Sequence, residues 1–380
     1  MKKESLPLHL PEGMTLMRNG AAAFAEILHC LDVAQHSVEI HMFIWREDDI
    51  GCRLAESVLE AADRGVKVSI CADRYSVPLE YAEESGRSLF HKERSALEKL
   101  ETVVLLRAYP GLRSGAGRRD EGQRLYHRLL HHPNIRLEKD AVRADHSKYY
   151  VFDEETVVLG GVNIEDKENG CDARGVVYQD YMIAFRGRAY VDAFRAYMAQ
   201  GVNILPRLRF VANRKAPVRD FAIGAEYLHL IRESCRELTV VMAYFAPIPA
   251  FMAAITQAAA RGVRVRVMVS QSANYQDSKN KKAVQTLLRQ SGGRVEVYFS
   301  PWMLHTKLVL SDDAVCVGSC NITRKSLYQM GELNITTRQK ALVEAIRQDV
   351  EKNIAAAQRC DSAEDIRYNA LQAWLERQFS

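Results

Sequence analysis

The sequence repeats itself across its length. R-G-V-K-V-S-I at 64–70 returns as R-G-V-R-V-R-V at 261–267, offset by 197 residues. Both copies join a helical pattern to a strand pattern. In the first copy the apolar run HSVEIHMFIW (36–45) reads as a strand and LAESVLEAADRG (54–65) as a helix closed by Gly65. VKVSICAD (66–73) then reads as the next strand. In the second copy the same roles fall to ELTVVMAYFAP (237–247), FMAAITQAAARG (251–262) and VRVRVMVS (263–270). A strand, a helix and a strand joined this way form a right-handed unit with parallel pairing. A chain carrying two such units is constrained to an α/β fold built twice.

Each copy continues into a strand region that holds a histidine: ADHSKYYVFDEETVVLGGVN (144–163) and LHTKLVLSDDAVCVGSCN (304–321). His146 and His305 lie 159 apart, so the first copy holds 197 − 159 = 38 extra residues before its motif. The stretch 108–143, rich in Gly, Arg and His, is the expected place for them, as a long loop with one short helix. Its cluster His127, His131 and His132 reads as a solvated basic surface rather than a metal site. The expected organisation is a first half at 1–205 and a linker at 206–219, with two prolines and five basic residues. A second half follows at 220–345, and a charged helical tail at 346–380.

Composition narrows the partners. The chain has 380 residues, 47% apolar and 26% charged, enough for two cored domains and unlike a disordered chain. Its 52 basic and 48 acidic residues leave +4, so a polyanionic partner would have to be argued from local patches. The eight cysteines form no C-x-x-C pair or zinc spacing and read as reduced thiols of a cytosolic protein. No apolar stretch follows the two N-terminal lysines, and no window is long enough to span a bilayer. Any membrane contact is expected to be peripheral, at the cytoplasmic face.

The chemistry sits in the repeated motif. His146-x-Lys148-x4-Asp153 is followed by Gly160, Gly161 and Asn163; His305-x-Lys307-x4-Asp312 by Gly318, Ser319 and Asn321. Residues i and i+2 of a strand share a face, so each histidine is expected to project with its lysine. The Lys and the Asn amide suit the non-bridging oxygens of a phosphate. The imidazole can attack phosphorus or protonate a leaving oxygen. Asp153 and Asp312 count with the catalytic set, although a place at the end of a strand also suits bracing a turn or pairing with Lys. One H-x-K-x4-D arises by chance at about one start position in ten thousand, whereas two inside a repeat argue for a site.

These paired motifs resemble the phospholipase D superfamily, and its bacterial cardiolipin synthase-like branch in particular, over roughly residues 12–345. The resemblance extends to RNGAAAFAEILHCLDVAQHSVEIHMFIWREDDIG, to Tyr244, Phe245 and Pro247, and to Asn321, Ser326 and Glu332. It implies two tandem α/β/α sandwich halves related by a pseudo-twofold axis, with the active site at their interface. It makes His146 the nucleophile of a phosphohistidine intermediate and His305 the general acid. Lys148, Lys307, Asn163, Asn321 and Ser319 would hold the phosphate. An acid downstream in each half would orient a histidine, as in triads: Glu332, and Asp180 with Glu165, Asp166 and Asp172 nearby. No metal or other cofactor is implied. The sequence departs from the branch at Asp145, where Arg is common, and at Gly161, where the second copy has Ser319.

Three functions follow from one phosphate site. The first is a phosphatidyltransferase or phospholipase on phospholipids at an anionic membrane surface, with Trp302, Met303 and Leu304 suiting acyl chains or core. The second is a phosphodiesterase on nucleic acid, disfavoured by the small net charge and the lack of alternating basic and aromatic residues. The third is a non-catalytic phosphate binder, disfavoured because both motifs are intact. Headgroup, acceptor and oligomeric state are not legible.

Overall fold

The protein is described from a computed structural model covering residues 6–82, 87–90, 93–109, 119–142, 144–170, 175–215 and 219–378. Cys171, Asp172, positions 110–118 of the expected insertion and positions 216–218 of the expected linker lie outside the described residues. The chain divides into two compact units, Met1–Val202 and Asn203–Ser380.

The first unit runs β1 (Leu8–His9), β2 (Met14–Arg18), α1 (Asn19–Val33), β3 (Ser37–Met42), α2 (Asp49–Asp63), β4 (Lys67–Asp73), α3 (Val77–Ala82) and α4 (Ala96–Ala108). It continues with α5 (Arg119–His131), β5 (Ile135–Val142), β6 (Tyr149–Phe152), β7 (Thr156–Gly160), the two-residue β8 (Tyr178–Gln179), β9 (Tyr181–Arg186) and α6 (Arg188–Gln200). The sheet order is β1-β2-β9-β7-β6-β3-β4-β5. β3, β4 and β5 pair in parallel and the remaining neighbours are antiparallel.

The second unit runs β10 (Leu208–Arg214), β11 (Asp220–Phe221), α7 (Ile223–Glu233), β12 (Glu237–Met242), α8 (Pro249–Ala260), β13 (Arg264–Ser270), α9 (Asp277–Ser291) and β14 (Val295–Ser300). Then come β15 (Met303–Leu304), β16 (Lys307–Leu310), β17 (Val315–Gly318), α10 (Arg324–Tyr328), β18 (Glu332–Thr337), α11 (Lys340–Ala356), β19 (Gln358–Cys360) and α12 (Ala370–Gln378). Its sheet order, β11-β10-β18-β17-β16-β12-β13-β14-β19, matches the first strand for strand, with β19 added at the edge.

The repeat has a local cause. Gly65 and Gly262 have φ of +98° and +91°, a left-handed backbone that ends α2 and α8 and turns the chain into β4 and β13. Asp48 starts α2 by accepting from the Gly51 amide, while α8 starts on Pro249. The apolar faces of α1, α2 and α5 meet one side of the first sheet in a core that includes Phe24, Leu54, Val58, Ile70 and Leu129. α7, α8 and α9 do the same around Tyr227, Ile255, Val267 and Leu287. On the other side, Phe194 of α6 packs edge-on against Tyr149 of β6, their centroids 5.1 Å apart. Arg347 and Glu351 of α11 reach Glu237 and Arg266 of the second sheet.

Three expectations about segments change. The stretch 108–143 is not a long loop: its described residues include the 13-residue α5 and the edge strand β5. Leu125, Tyr126 and Leu129 supply an apolar face among the basic residues. β4 and β13 keep the offset of 197, but β5 and β14 are offset by 295 − 135 = 160. The 197 − 160 = 37 extra residues therefore enter between Asp73 and α5, where α3 and α4 lie. The expected linker contains β10, whose Leu208, Phe210, Val211 and Ala212 are buried against β18. The expected tail boundary at 346 falls inside α11, and the tail adds a strand as well as a helix.

Candidate active site

The two motifs fold alike, and not as extended strand. Lys307 opens β16 and Lys148 immediately precedes β6, while each histidine stands two residues earlier, outside regular structure. Lys148 Nζ donates to its own motif's His146 carbonyl at 2.6 Å, and Lys307 Nζ donates to the His305 carbonyl. Both lysines are fully buried, and His305 is 7% exposed. An ammonium in such a place must be hydrogen-bonded, and the turn back to the carbonyl meets part of that need. It also fixes each histidine's backbone to its lysine.

The glycines put the next strand against that lysine. Gly160 N donates to Lys148 O at 3.3 Å, and the register of β16 with β17 sets Gly318 opposite Lys307. A Cβ at Gly160 or Gly318 would meet a carbonyl of the neighbouring strand at 2.2 or 2.3 Å, so neither position admits a side chain. The chain then passes to the end of the first parallel strand, where Ile164 bridges Trp45 and Ile322 bridges Phe245. That crossing delivers the buried Asn163 and Asn321. Lysine, glycine and asparagine thus converge in each unit at the carboxyl ends of β3 and β12. Ligand sites of open α/β sheets occupy such ends.

The asparagines are held differently. Asn321 Oδ1 accepts from Tyr244 N at 3.0 Å, which leaves its amide hydrogens as donors for an anion. Asn163 Nδ2 donates to Glu165 Oε1 at 3.2 Å. Glu165 also receives Arg46 Nε at 2.7 Å and lies 3.3 Å from Lys167 Nζ, forming a buried charged cluster behind Asn163. Asp166 serves the start of α2, accepting from the Asp49 and Ile50 amides while its own N donates to Asp48. Burial first, and then the Asp166 carboxylate, push the Asp48 carboxyl well above its ordinary range.

Register pairs the two downstream acids. Gly160 faces Met182 and Gly318 faces Asn334, so Asp180 and Glu332 are equivalent, each two residues before that partner. Both are buried. Ser319 Oγ donates to Glu332 Oε2 at 2.6 Å and accepts from Leu333 N at 3.0 Å. Ser319 thus supports the Glu332 carboxylate. In the first unit a Cβ on Gly161 would lie 2.2 Å from Asp180 Oδ2. The missing serine is therefore the space that the shorter acid's carboxylate fills.

Asp153 and Asp312, expected with the catalytic set, sit where they brace the far ends of their strands. Asp153 accepts from the Gln35, His36 and Ser37 amides, and Asp312 from those of Cys235, Arg236 and Glu237, all at 2.7–2.9 Å. Each thereby ties the far end of its strand to the start of β3 or β12. Five residues of extended chain separate Lys148 from Asp153, about 16 Å. Burial raises both carboxyl pKa values, but the three amide donors outweigh it and hold them below the ordinary range.

Several residues that shape the first motif carried no sequence signal of their own. Phe43 packs edge-on under His146 at 4.6 Å, with Lys148 Nζ 4.9 Å from its ring centroid. The equivalent position of the second unit, 200 residues on, is Ala243, and aligning the copies there would have exposed the difference. Asp145, the departure noted before the histidine, accepts from Ser147 N at 3.0 Å and donates its own amide to Asp73 Oδ2 at 2.9 Å. The buried His41 lies 3.3 Å from Ser147 O through Nδ1 and 3.6 Å from Asp145 Oδ2 through Nε2. Asp145 therefore folds the segment that carries His146.

Other expectations resolve simply. Met303 and Leu304 are core, 2% and 1% exposed, while Trp302 is half-buried. His132 Nε2 pairs with Asp63 at 3.0 Å, and His131 Nδ1 sits 2.8 Å from the His127 carbonyl, so that cluster ties down the end of α5. No disulfide joins the seven described cysteines. No helix among the described residues is long and apolar enough to cross a membrane.

Comparison with known proteins agrees with this architecture. The family model for the PLD-like domain of cardiolipin synthase matches residues 27–202 and 227–354. Cardiolipin synthase B of Escherichia coli K12 is 25% identical over 366 residues, covering 90% of this chain and 80% of that protein. Cardiolipin synthase A of Pseudomonas aeruginosa LESB58 is 24% identical over 344 residues, covering 85% of this chain and 63% of that one. Among solved structures, phosphatidylserine synthase of Haemophilus influenzae Rd KW20 superposes with a TM-score of 0.68 at 13% identity, covering 99% of this chain and 95% of that one. With two matched segments, a repeated fold and both H-x-K motifs in place, the chain belongs to the cardiolipin synthase-like branch of the phospholipase D superfamily and is an enzyme of that superfamily.

Proposed function

We propose that the protein is a phosphatidyltransferase that moves a phosphatidyl group from one alcohol to another through a phosphohistidine on His146. The observation that carries this is the repetition, in each unit, of a histidine bound through its carbonyl to a buried lysine, beside a buried asparagine. Two-step phosphoryl chemistry needs one imidazole to bond phosphorus and another to move a proton. Each unit supplies one. His146 attacks phosphorus, the ester bond to the headgroup oxygen breaks, and His305 gives that oxygen its proton. An acceptor alcohol or water then returns a proton to His305 as its oxygen bonds phosphorus and the P–N bond breaks. Lys148, Lys307 and the Asn321 amide offset the charge on the non-bridging oxygens. Asp180 and Glu332 are the residues proposed to orient the histidines. The cardiolipin synthases among its relatives support phospholipid as the substrate class, presented at an anionic membrane surface.

The test is incubation with labelled phosphatidylglycerol and, separately, with labelled single-stranded DNA. Transfer or hydrolysis products from the lipid are expected, with turnover lost in His146→Ala and in His305→Ala. Products from DNA alone would replace the lipid reading. Full activity in either variant would remove the two-histidine mechanism.

A further inference from the structure

The insertion that the first unit carries and the second lacks includes a helix folded with its polarity reversed. In α4 the residues turned inward are polar: Glu98 and Thr102 are buried. Glu98 receives Arg74 through Nε at 3.1 Å and NH2 at 3.0 Å, and makes a reciprocal capping box with Ser95. Thr102 Oγ1 returns to the Glu98 carbonyl. Turned outward beside Lys99, Glu101 and Arg107 are four large apolar residues: Leu97 and Leu100 are 60% and 59% exposed, Val103 and Val104 45% and 38%. Spaced at i, i+3, i+6 and i+7, they form one stripe along the helix. A soluble surface gains nothing from such an arrangement, since the stripe forgoes about 1.5–3 kcal/mol for each side chain left in water.

Two observations identify what covers it. The first is charge. With Glu98 paired inward, the outer side of α4 carries Lys99, Arg107 and Glu101, or 2 − 1 = +1. An apolar stripe flanked by Lys99 and Arg107 fits the headgroup boundary of an anionic bilayer. The second is position. Arg74, which anchors α4, follows Asp73, whose Oδ2 holds the Asp145 amide one residue before His146. α4 is thus tied to the same strand end as the first motif.

We propose that α4 is the membrane-docking element of this protein, laying Leu97, Leu100, Val103 and Val104 into the outer part of an anionic lipid leaflet. The inference rests on the phospholipid reading above and adds the surface through which that substrate is reached.

The experiment uses the full chain with vesicles of phosphatidylcholine, with and without phosphatidylglycerol, and bis-p-nitrophenyl phosphate as a phosphodiester without acyl chains. The triple variant Leu97→Ser, Leu100→Ser, Val104→Ser is expected to bind anionic vesicles at least about tenfold more weakly, given the apolar area removed. Its turnover of the soluble diester should be unchanged. Lys99→Glu with Arg107→Glu should weaken binding to anionic vesicles only. Unchanged vesicle binding in both variants overturns the proposal, as does a wild-type chain that binds no vesicles. Loss of self-association by light scattering with vesicle binding intact assigns the stripe to a second copy of the chain and overturns it too. Loss of soluble turnover in the triple variant makes the stripe part of the site's support and likewise overturns docking. If vesicle binding falls as expected but wild type releases nothing from phospholipid, docking stands and the proposed function fails.

Discussion

At position 161 one atom decides what the site can hold. Asp180 Oδ2 occupies the place where any Cβ would go, whereas the second unit has a longer acid and a serine that donates to it. The two pairs, Gly161 with Asp180 and Ser319 with Glu332, are alternative ways to set a buried carboxylate beside the same glycine. Gly161→Ala should therefore displace the Asp180 carboxylate, destabilise the protein by about 1–3 kcal/mol and lower kcat at least tenfold. Ser319→Ala opens space and removes the hydrogen bonds to Glu332 and from Leu333 N, which costs about 1–3 kcal/mol. Thermal unfolding and initial rates on the two variants check this. Equal small effects at both positions would mean that the carboxylate moves aside at little cost. The lysines, histidines and asparagines were legible because each copy of the motif vouches for the other. Phe43 and His41 were not, because an aromatic or a histidine inside a strand pattern reads as core until its neighbour is known.

Among elements, the hairpin after each motif is a brace. Asp312 gathers the Cys235, Arg236 and Glu237 amides, and so ties the end of β16 to the start of β12. Its carboxyl pKa lies below the ordinary value, so the stabilisation it gives is present above the unfolded carboxyl's pKa and is lost as pH falls through the depressed one. Asp312→Ala should cost about 1–2 kcal/mol at neutral pH, the scale of a capping carboxylate. The melting curves of variant and wild type should converge in acid, and a gap that stays constant with pH would contradict the brace. The helix and strand junctions at Gly65 and Gly262 could be read from sequence because their causes are local. The insertion was misplaced because the motif offset bounds it only between β4 and His146, and α5 hides its apolar residues among arginines and histidines. β10 was concealed by Pro206 and Pro217, which flank a strand that only its partner β18 reveals.

For the whole molecule, 52 basic against 48 acidic residues leave +4, too little to bind a polyanion along its length, and the proposed mechanism asks for positive charge at a single phosphate. The two units share one fold, and the motif of each sets a histidine and a buried lysine near a buried asparagine. Under the proposed mechanism each motif supplies one of the two histidines. The central claim is that phosphorus becomes bonded to His146 and that His305 moves the protons. A nitrophenyl phosphodiester whose leaving group needs no acid should still load His146 when the proton carrier is gone. His305→Ala treated with that substrate should therefore accumulate a phosphorylated species, and peptide mass spectrometry should place it on His146. An adduct on another residue, or steady turnover in His305→Ala with His146 unmodified, would contradict the account.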